Sequence, residues 1–334
     1  MTRHILIVGT GSAGKRHAKN LHALGCEISC MDPRQDRLDE IGAEEINLKT
    51  AFTSLEDAFA AEDRFDAVVV ASPPSFHVDQ CISALQRGVP VLLEKPVSPD
   101  LAGALKLQMA VKDTAVPLLL GYTWRWWPPL LKVKTLVDQQ AVGQLRHVKF
   151  TMAAHLADWH PWERYQDFFM ASKTLGGGAI LDESHWLDLM LWFFGMPEKL
   201  FAKVEKVSDL EIDSDDNVDM LVFYDSGMRV SLHLDLYARP HEKSIQFAGE
   251  NGTLIWQPNS IKIGKEMDPN WEIEEFDYDR NDMFVGVAEE FLNILSGGSV
   301  QTCTLEDGVR VLKLIEAARQ SSTAEKIIKI DTLK

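Results

Sequence analysis

Residues Ile5-Leu6-Ile7-Val8-Gly9-Thr10-Gly11-Ser12-Ala13-Gly14-Lys15-Arg16-His17 run from an apolar tetrad through three spaced glycines into a helical pattern over Lys15–Leu24. Strand, tight turn and helix in that order open a βαβ unit. In this GxGxxG spacing the first glycine permits the turn, the second lets backbone approach a pyrophosphate, and the third lets helix pack on strand. The helix start adds unpaired N–H donors for phosphates. The next apolar strand, Glu27–Met31, is followed by Asp32, 18 residues beyond Gly14. That is near the offset of about 20 expected of the carboxylate that accepts from ribose hydroxyls. An ordinary glycine-rich turn would need none of these neighbours. Further apolar strands at Ala67–Ala71, Val89–Leu93 and Leu118–Leu120 alternate with helical patterns such as Val78–Arg87. Strands apolar throughout and separated by helices predict a parallel sheet covered on both faces, hence a doubly wound domain over residues 1–121.

Composition agrees with this reading and narrows the partners. The chain has 334 residues, 46% apolar and 25% charged, enough for about two domains. Its 34 Lys and Arg against 50 Asp and Glu leave a net charge of −16, and no basic run offsets it, which argues against a nucleic-acid partner. Four scattered cysteines, at 26, 30, 81 and 303, read as reduced, buried thiols. Ile5–Val8 is too short for a signal h-region, and the later stretch Leu189–Met196 falls far below the ~20 residues of a membrane span. A cytoplasmic protein without a membrane partner is expected.

After Gly121 the texture changes, and residues 122–334 read as a second domain. Trp124-Arg125-Trp126-Trp127-Pro128-Pro129 leads into a helix near Leu130–Gln140 and a strand at Leu145–Ala153. Strands at 200–207, 217–224, 228–237, 243–249 and 252–257 follow in meander fashion, with turn signals at Asp225-Ser226-Gly227 and Asn251-Gly252. This predicts an α+β domain built on a mainly antiparallel sheet with helices on one face. Helical patterns at Met283–Leu295 and Leu305–Ser321 either cover it or return to the first domain. The strands alternate, as in Val230, Leu232, Leu234 and Leu236 against Ser231, His233, Asp235 and Tyr237. The face left open still carries Leu221, Phe223 and Tyr237, which predicts a homodimer or homotetramer.

Several constellations carry chemistry. Asp32 would repel a 2′-phosphate and accept from a 2′-hydroxyl, favouring NAD, while Arg34 and Arg37 keep NADP possible. Ser72-Pro73-Pro74 and Glu94-Lys95-Pro96 stand at carboxyl ends of parallel strands, where open α/β sheets bind ligands. Burial beside a cofactor would lower the Lys95 pKa toward a range useful for proton transfer; a lysine whose head reaches solvent is the plainer alternative. Further on, Gly176-Gly177-Gly178-Ala179-Ile180-Leu181-Asp182-Glu183-Ser184-His185-Trp186-Leu187-Asp188 reads as a glycine turn feeding a helix. Asp182, His185 and Asp188 then fall along one side of it, an imidazole between carboxylates suited to acid–base work. A helix-start cluster, capped by Asp182, is the alternative. Metal binding, with His155 and His160 as extra ligands, lacks any HxxxH or CxxC spacing. The loop His160-Pro161-Trp162-Glu163-Arg164-Tyr165 and Arg125 mix aromatic faces with fork-shaped donors suited to a polar, ring-shaped substrate, or else form an aromatic packing contact.

Together, Gly9-x-Gly11-x-x-Gly14, Glu94-Lys95-Pro96 and the glycine turn with Asp182, His185 and Asp188 resemble the glucose-fructose oxidoreductase / inositol dehydrogenase / MocA family along nearly the whole chain. The resemblance implies an N-terminal Rossmann domain for NAD(P) and a C-terminal domain on a large open sheet that carries substrate contacts and much of the oligomer contact. It implies hydride transfer between nicotinamide and a carbinol carbon of a sugar, cyclitol or nucleotide sugar. Lys95 matches the family's active-site lysine, His185 its catalytic histidine and Asp188 the carboxylate three residues later; the Lys95-Pro96 bond is expected to be cis. The cofactor contacts it implies run over Gly9, Thr10, Gly11, Ser12, Ala13, Gly14, Asp32, Arg34, Ser72, Pro73, His77, Glu94 and Lys95, and the substrate contacts over Arg125, Trp162, Arg164, Tyr165 and Asp188. One departure stands out: the family places an Asp four residues before the histidine, whereas here Leu181 holds that position and Asp182 lies three before. Asp182-x-Ser184-His185 is similar to a branch found among surface-polysaccharide enzymes, which points toward a nucleotide-linked or amino sugar. A non-catalytic cofactor-binding regulator and an NAD-dependent glycoside-cleaving enzyme are the rivals on the same fold.

Overall fold

The computed structural model describes residues 2–44, 46–61, 64–159, 161, 163–265 and 269–332. In chain order the first elements are β1 (His4–Val8), α1 (Ser12–Ala23), β2 (Glu27–Met31), α2 (Gln35–Gly42), β3 (Leu48–Phe52), α3 (Leu55–Ala61), β4 (Ala67–Val70), α4 (Pro74–Leu85), β5 (Val91–Glu94), α5 (Leu101–Thr114) and β6 (Leu118–Gly121). Then come α6 (Pro128–Asp138), β7 (Leu145–Ala153), the short α7 (Ala179–Asp182), α8 (Ser184–Phe194), β8 (Lys199–Glu205), β9 (Asn217–Phe223), β10 (Arg229–Asp235), β11 (Glu242–Gly249) and β12 (Gly252–Gln257). The chain closes with β13 (Ser260–Lys265), β14 (Glu272–Glu275), α9 (Asp282–Leu295), α10 (Leu305–Ala324) and β15 (Ile328–Lys329). Two compact units result: Met1–Trp126 with Arg280–Val309, and Trp127–Asp279 with Arg310–Lys334.

The first unit is a six-stranded, wholly parallel sheet in the order β3-β2-β1-β4-β5-β6. Every residue of β1, β4, β5 and β6 is buried, as unbroken apolar runs require of strands covered on both faces. Strand β3, Leu48-Lys49-Thr50-Ala51-Phe52, escaped the sequence reading because an edge strand buries only one side of a mixed pattern. Of the two closing helices, α9 lies on this unit: Val287, Ala288, Phe291 and Ile294 share a core with Ile5, Ile7, Leu21 and Ile28. Each of these side chains other than Ala288 contributes roughly 1.5–3 kcal/mol over its exposed state. The four cysteines are buried thiols outside any disulfide, and burial pushes the Cys30 thiol up to about 12.

The second unit is a nine-stranded sheet in the order β14-β13-β12-β11-β7-β10-β9-β8-β15. A simple meander was expected; instead β7 is inserted between β10 and β11, parallel to the first and antiparallel to the second. The chain between β10 and β11 is carried past β7, anchored where Ala154 and Leu156 N–H donate to Asp235 and Leu236 carbonyls at 3.3 and 2.8 Å. Sequence neighbours therefore need not be sheet neighbours, and local pattern cannot reveal an insertion made by a strand from earlier in the chain. Register pairs Val222 with Val230, Met220 with Leu232 and Val218 with Leu234, all buried on one face. Helix α8 packs over that face through Trp186 against Trp256 and Phe193 against Phe247, with ring centroids 6.0 and 5.2 Å apart. On the opposite face Asp219 and Leu221 are exposed. Among the described residues no helix is long and apolar enough to cross a membrane.

Candidate cofactor and active site

In the first unit the strand order reverses between β1 and β4, and the Gly9–Gly14 loop lies at that switch point. Gly9 has φ +87°, and a Cβ there would stand 2.6 Å from Ser72 N. At Gly14 a Cβ would stand 1.9 Å from Gly9 O, so the loop closes on the first turn of α1 only because both positions are bare. Gly11 differs: a Cβ there would meet no atom of the protein within 4 Å. Gly11 is also the N-cap of α1, and no side chain caps that helix. Open space over a glycine, bounded by uncapped helix-start N–H groups at Ser12 and Ala13, fits a dinucleotide pyrophosphate. Asp32, buried at the end of β2, accepts from Thr10 N–H at 2.8 Å and Thr10 Oγ1 at 3.1 Å, and from Arg34 N–H at 3.0 Å. It thus fixes the loop from the side where a ribose would lie. The Arg34 guanidinium pairs with Asp36, and that of Arg37 with Glu40 at 3.3 Å.

The ends of β4 and β5 border the same sheet edge. Ser72 Oγ donates to Gln80 Oε1 at 2.6 Å. His77 is fully buried and spends both ring nitrogens on backbone, Nε2 at 2.7 Å from Ser72 O and Nδ1 at 2.8 Å from Pro96 O, so it ties these two strand-end loops together. Burial lowers its proton affinity, against the two carbonyls that favour a charged ring. Glu94 is buried at the end of β5 and meets His17 Nε2 at 2.7 Å. Burial would push its carboxyl up, but the His17 hydrogen bond and charge, with Lys95 beside it, hold it below the ordinary value. Lys95 follows, half-buried, and the Lys95-Pro96 peptide is cis. Arg125 lies inside the first unit, 4% exposed, donating to Thr302 O at 2.9 Å and pairing with Asp307 at 3.3 Å. Asp307, which burial alone would raise, is held below the usual carboxylate range by that guanidinium.

In the second unit the glycine turn leads into two helices, not the single helix expected. The chain leaves helical geometry at Glu183 (ψ 18°), between α7 and α8, where its Oε2 accepts from Trp186 Nε1 at 3.1 Å. Asp182 therefore ends α7, buried at 4% exposure, while His185 and Asp188 alone share α8, three apart on one face. Asp188 is fully buried and His185 half-buried. In the 160–165 loop, Arg164 is exposed and Tyr165 Oη accepts from Glu211 N–H at 3.2 Å. Trp162 and His160 lie outside the described residues. Among the described residues no group of three or more His, Cys, Asp or Glu is arranged to hold a metal.

Sequence reasoning passed over His17, Gln80 and Asp307, which hold Glu94, Ser72 and Arg125. His17 alone had a readable signal: it stands three residues after Gly14, on the face of α1 that turns toward the sheet.

Comparison with known proteins places this geometry. Residues 3–122 match the model of an oxidoreductase family with an NAD-binding Rossmann fold, and residues 130–255 that of the GFO/IDH/MocA C-terminal domain. D-xylose 1-dehydrogenase (NADP(+)) 2 of Haloferax volcanii is 23% identical over 97% of this chain and 99% of that protein. Myo-inositol 2-dehydrogenase of Thermotoga maritima is 24% identical over 97% and 98%. The crystal structure of the WlbA dehydrogenase from Bordetella pertussis, in complex with NADH and UDP-GlcNAcA, superposes with a TM-score of 0.82 at 22% identity, covering 98% of this chain and 99% of that one.

Proposed function

Because the chain belongs to the GFO/IDH/MocA family of oxidoreductases with an NAD-binding Rossmann fold, we propose that it interconverts an alcohol and a carbonyl on a sugar, cyclitol or nucleotide-linked sugar. The observation that carries this reading is the cradle over Gly11, bounded by Asp32 and by the strand ends that bear Ser72 and Lys95. When bound there, the nicotinamide cofactor supplies the acceptor or donor of hydride. Gly9 to Gly14 hold its phosphates and Asp32 its ribose; Arg34, Ser72, Pro73, His77 and Glu94 line or brace the cradle. His185 carries the hydroxyl proton, with Asp188 and Asp182 setting its orientation and proton affinity. Lys95 places positive charge where the alkoxide develops. Arg164, Tyr165 and Trp162 form the substrate set; Arg125, expected there, is instead spent on Thr302 and Asp307 inside the first unit. Relatives that act on xylose and inositol, and a neighbour solved with a nucleotide sugar, support the substrate class.

Net reduction of NAD in the presence of D-xylose, myo-inositol and UDP-linked amino sugars tests the reading. We expect turnover with at least one, reduced about 10²–10⁴-fold in H185A; full activity in H185A would overturn it. NAD should bind more tightly than NADP because Asp32 repels a 2′-phosphate, and D32A should narrow the gap. A second copy of the chain is the proposed occupant of the open sheet face. Leu221 is exposed there beside Phe201, and Lys203 and Asp219 put opposite charges on the same patch, which suits a two-fold self-contact. Light scattering at about 38 kDa would refute it.

A further inference from the structure

Residues Met170 to Gly178 are short 3₁₀ turns and glycines whose own bonds, Gly177 N–H to Ser172 O at 2.9 Å and Gly178 N–H to Met170 O at 3.1 Å, close the turn but leave the first amides of α7 to partners outside it. The segment Asp213-Ser214-Asp215 supplies what they lack. Asp213 N–H donates to Ala171 O at 3.2 Å while its Oδ1 accepts from Lys173 N–H at 2.6 Å. Ser214 Oγ donates to Met170 O at 2.8 Å. Asp215 takes the helix start itself: its carbonyl accepts from Ala179 N–H at 2.8 Å and its Oδ2 from Ile180 N–H at 2.9 Å. Gly178 has φ +112°, and a Cβ on it would stand 2.5 Å from Asp215 Oδ1. A Cβ on Gly177 would stand 2.4 Å from Met170 O. The turn is thus wedged between a carbonyl wall and one carboxylate.

From Ile180 the chain reaches α8 within four residues, across the break at Glu183: Asp182 and Glu183 N–H donate to Gly178 and Ala179 carbonyls at 2.9 Å, and Trp186 N–H to Glu183 O at 2.9 Å. With so short a connection, the first amides of α7 bear on where α8 starts. The neighbouring Asp216 serves a different purpose, accepting from Val207 and Ser208 N–H at 2.7 and 3.2 Å within the sheet edge. We propose that Asp215 is a positioning residue for the reaction, setting the placement of His185 and Asp188 by holding the first amides of α7. The proposal rests on the reading of His185 as the proton carrier. Burial is the largest influence on the Asp215 carboxyl and pushes it up, opposed by the Ile180 N–H and by Arg319 and reinforced by Asp216.

The test uses the full chain as D215A, D215N and D215E. The asparagine keeps an acceptor oxygen for Ile180; the glutamate keeps the charge and moves the acceptor. Two readouts apply: the titration midpoint of the His185 imidazole by NMR, and NAD reduction with D-xylose and myo-inositol as probes. D215A should move the His185 midpoint and lower kcat about 10–100-fold, as misplacement near 1 Å does, with the NAD Kd within about two-fold. D215N should return both to within about three-fold of wild type, and D215E should resemble D215A. Should D215A not fold, D215E carries the same comparison. An unmoved His185 midpoint, or D215N no better than D215A, overturns the proposal. Turnover insensitive to H185A would instead overturn the role of His185, an outcome the NMR titration of the Asp215 variants separates from failure of the clamp.

Discussion

Two glycine turns start the two helices that matter here, and they are glycine-rich for opposite reasons. In Gly9–Gly14 the outer glycines are pressed by the protein's own backbone, while the middle one looks onto open space. In Gly176–Gly178 the last two glycines are pressed by protein, carbonyls on one side and the Asp215 carboxylate on the other. A glycine pressed by its own chain is required for folding; Gly11, open and at a helix start that no side chain caps, is under no such demand. The first turn thus keeps room for a ligand, and the second is closed by the protein itself.

Substitutions can break that contrast. The largest effect should come from Gly14→Ala, whose Cβ would overlap Gly9 O; we expect a loss of about 3 kcal/mol or more in denaturant unfolding. Gly178→Ala follows at about 2 kcal/mol, since it combines a left-handed φ with a close carboxylate, and D215A should partly rescue it by removing the obstacle. Absence of rescue would mean that the backbone angle, and not the wedge, demands the glycine. Gly11→Ala should leave the unfolding midpoint unchanged yet weaken NAD about ten-fold, worth ~1.4 kcal/mol; equal losses in both would erase the distinction between the turns.

The smallest effect concerns pH, and the two units weaken on opposite sides of neutrality. His233 in β10 is raised to about 9 by its hydrogen bond to Asp235, against burial, with Asp219 adding to the rise. A raised folded value means that its contribution is complete below the ordinary 6.5 and is lost as pH climbs through about 9. Half-exposed as the ring is, that contribution is about 1 kcal/mol. Glu94 in β5 is depressed, so its contribution holds above its ordinary 4.5 and is lost as pH falls below it. Hydrogen exchange across pH should show β9 and β10 loosening first in alkali and β5 first in acid. H233A should flatten the alkaline limb alone.

Much of the first unit was legible in the sequence because its strands are buried on both faces and write their apolar character without interruption, as Ile5–Val8 and Ala67–Val70 do. The glycine spacing and Asp32 were legible because a turn and a carboxylate within one βαβ unit act at short range. Edge strand β3 was not, for it buries one side only, nor were β13 and the charged β14. Asp182, His185 and Asp188 were readable as a group, but the single helix expected to carry them is broken at Glu183, whose carboxylate is taken by Trp186 Nε1.

What the sequence by itself determined is the family, the parallel sheet, the dinucleotide loop and the identity of the titratable side chains, since each is carried by short motifs or apolar runs that are legible one at a time. Tertiary structure alone decided the insertion of β7 between β10 and β11, the return of α9 to the first unit, the burial of Arg125 against Asp307 and the grip of Asp213–Asp215 on the second glycine turn. Each of these joins residues far apart in sequence. Their partners are selected by competition among all buried polar and apolar groups for satisfied contacts, and no local pattern records the outcome.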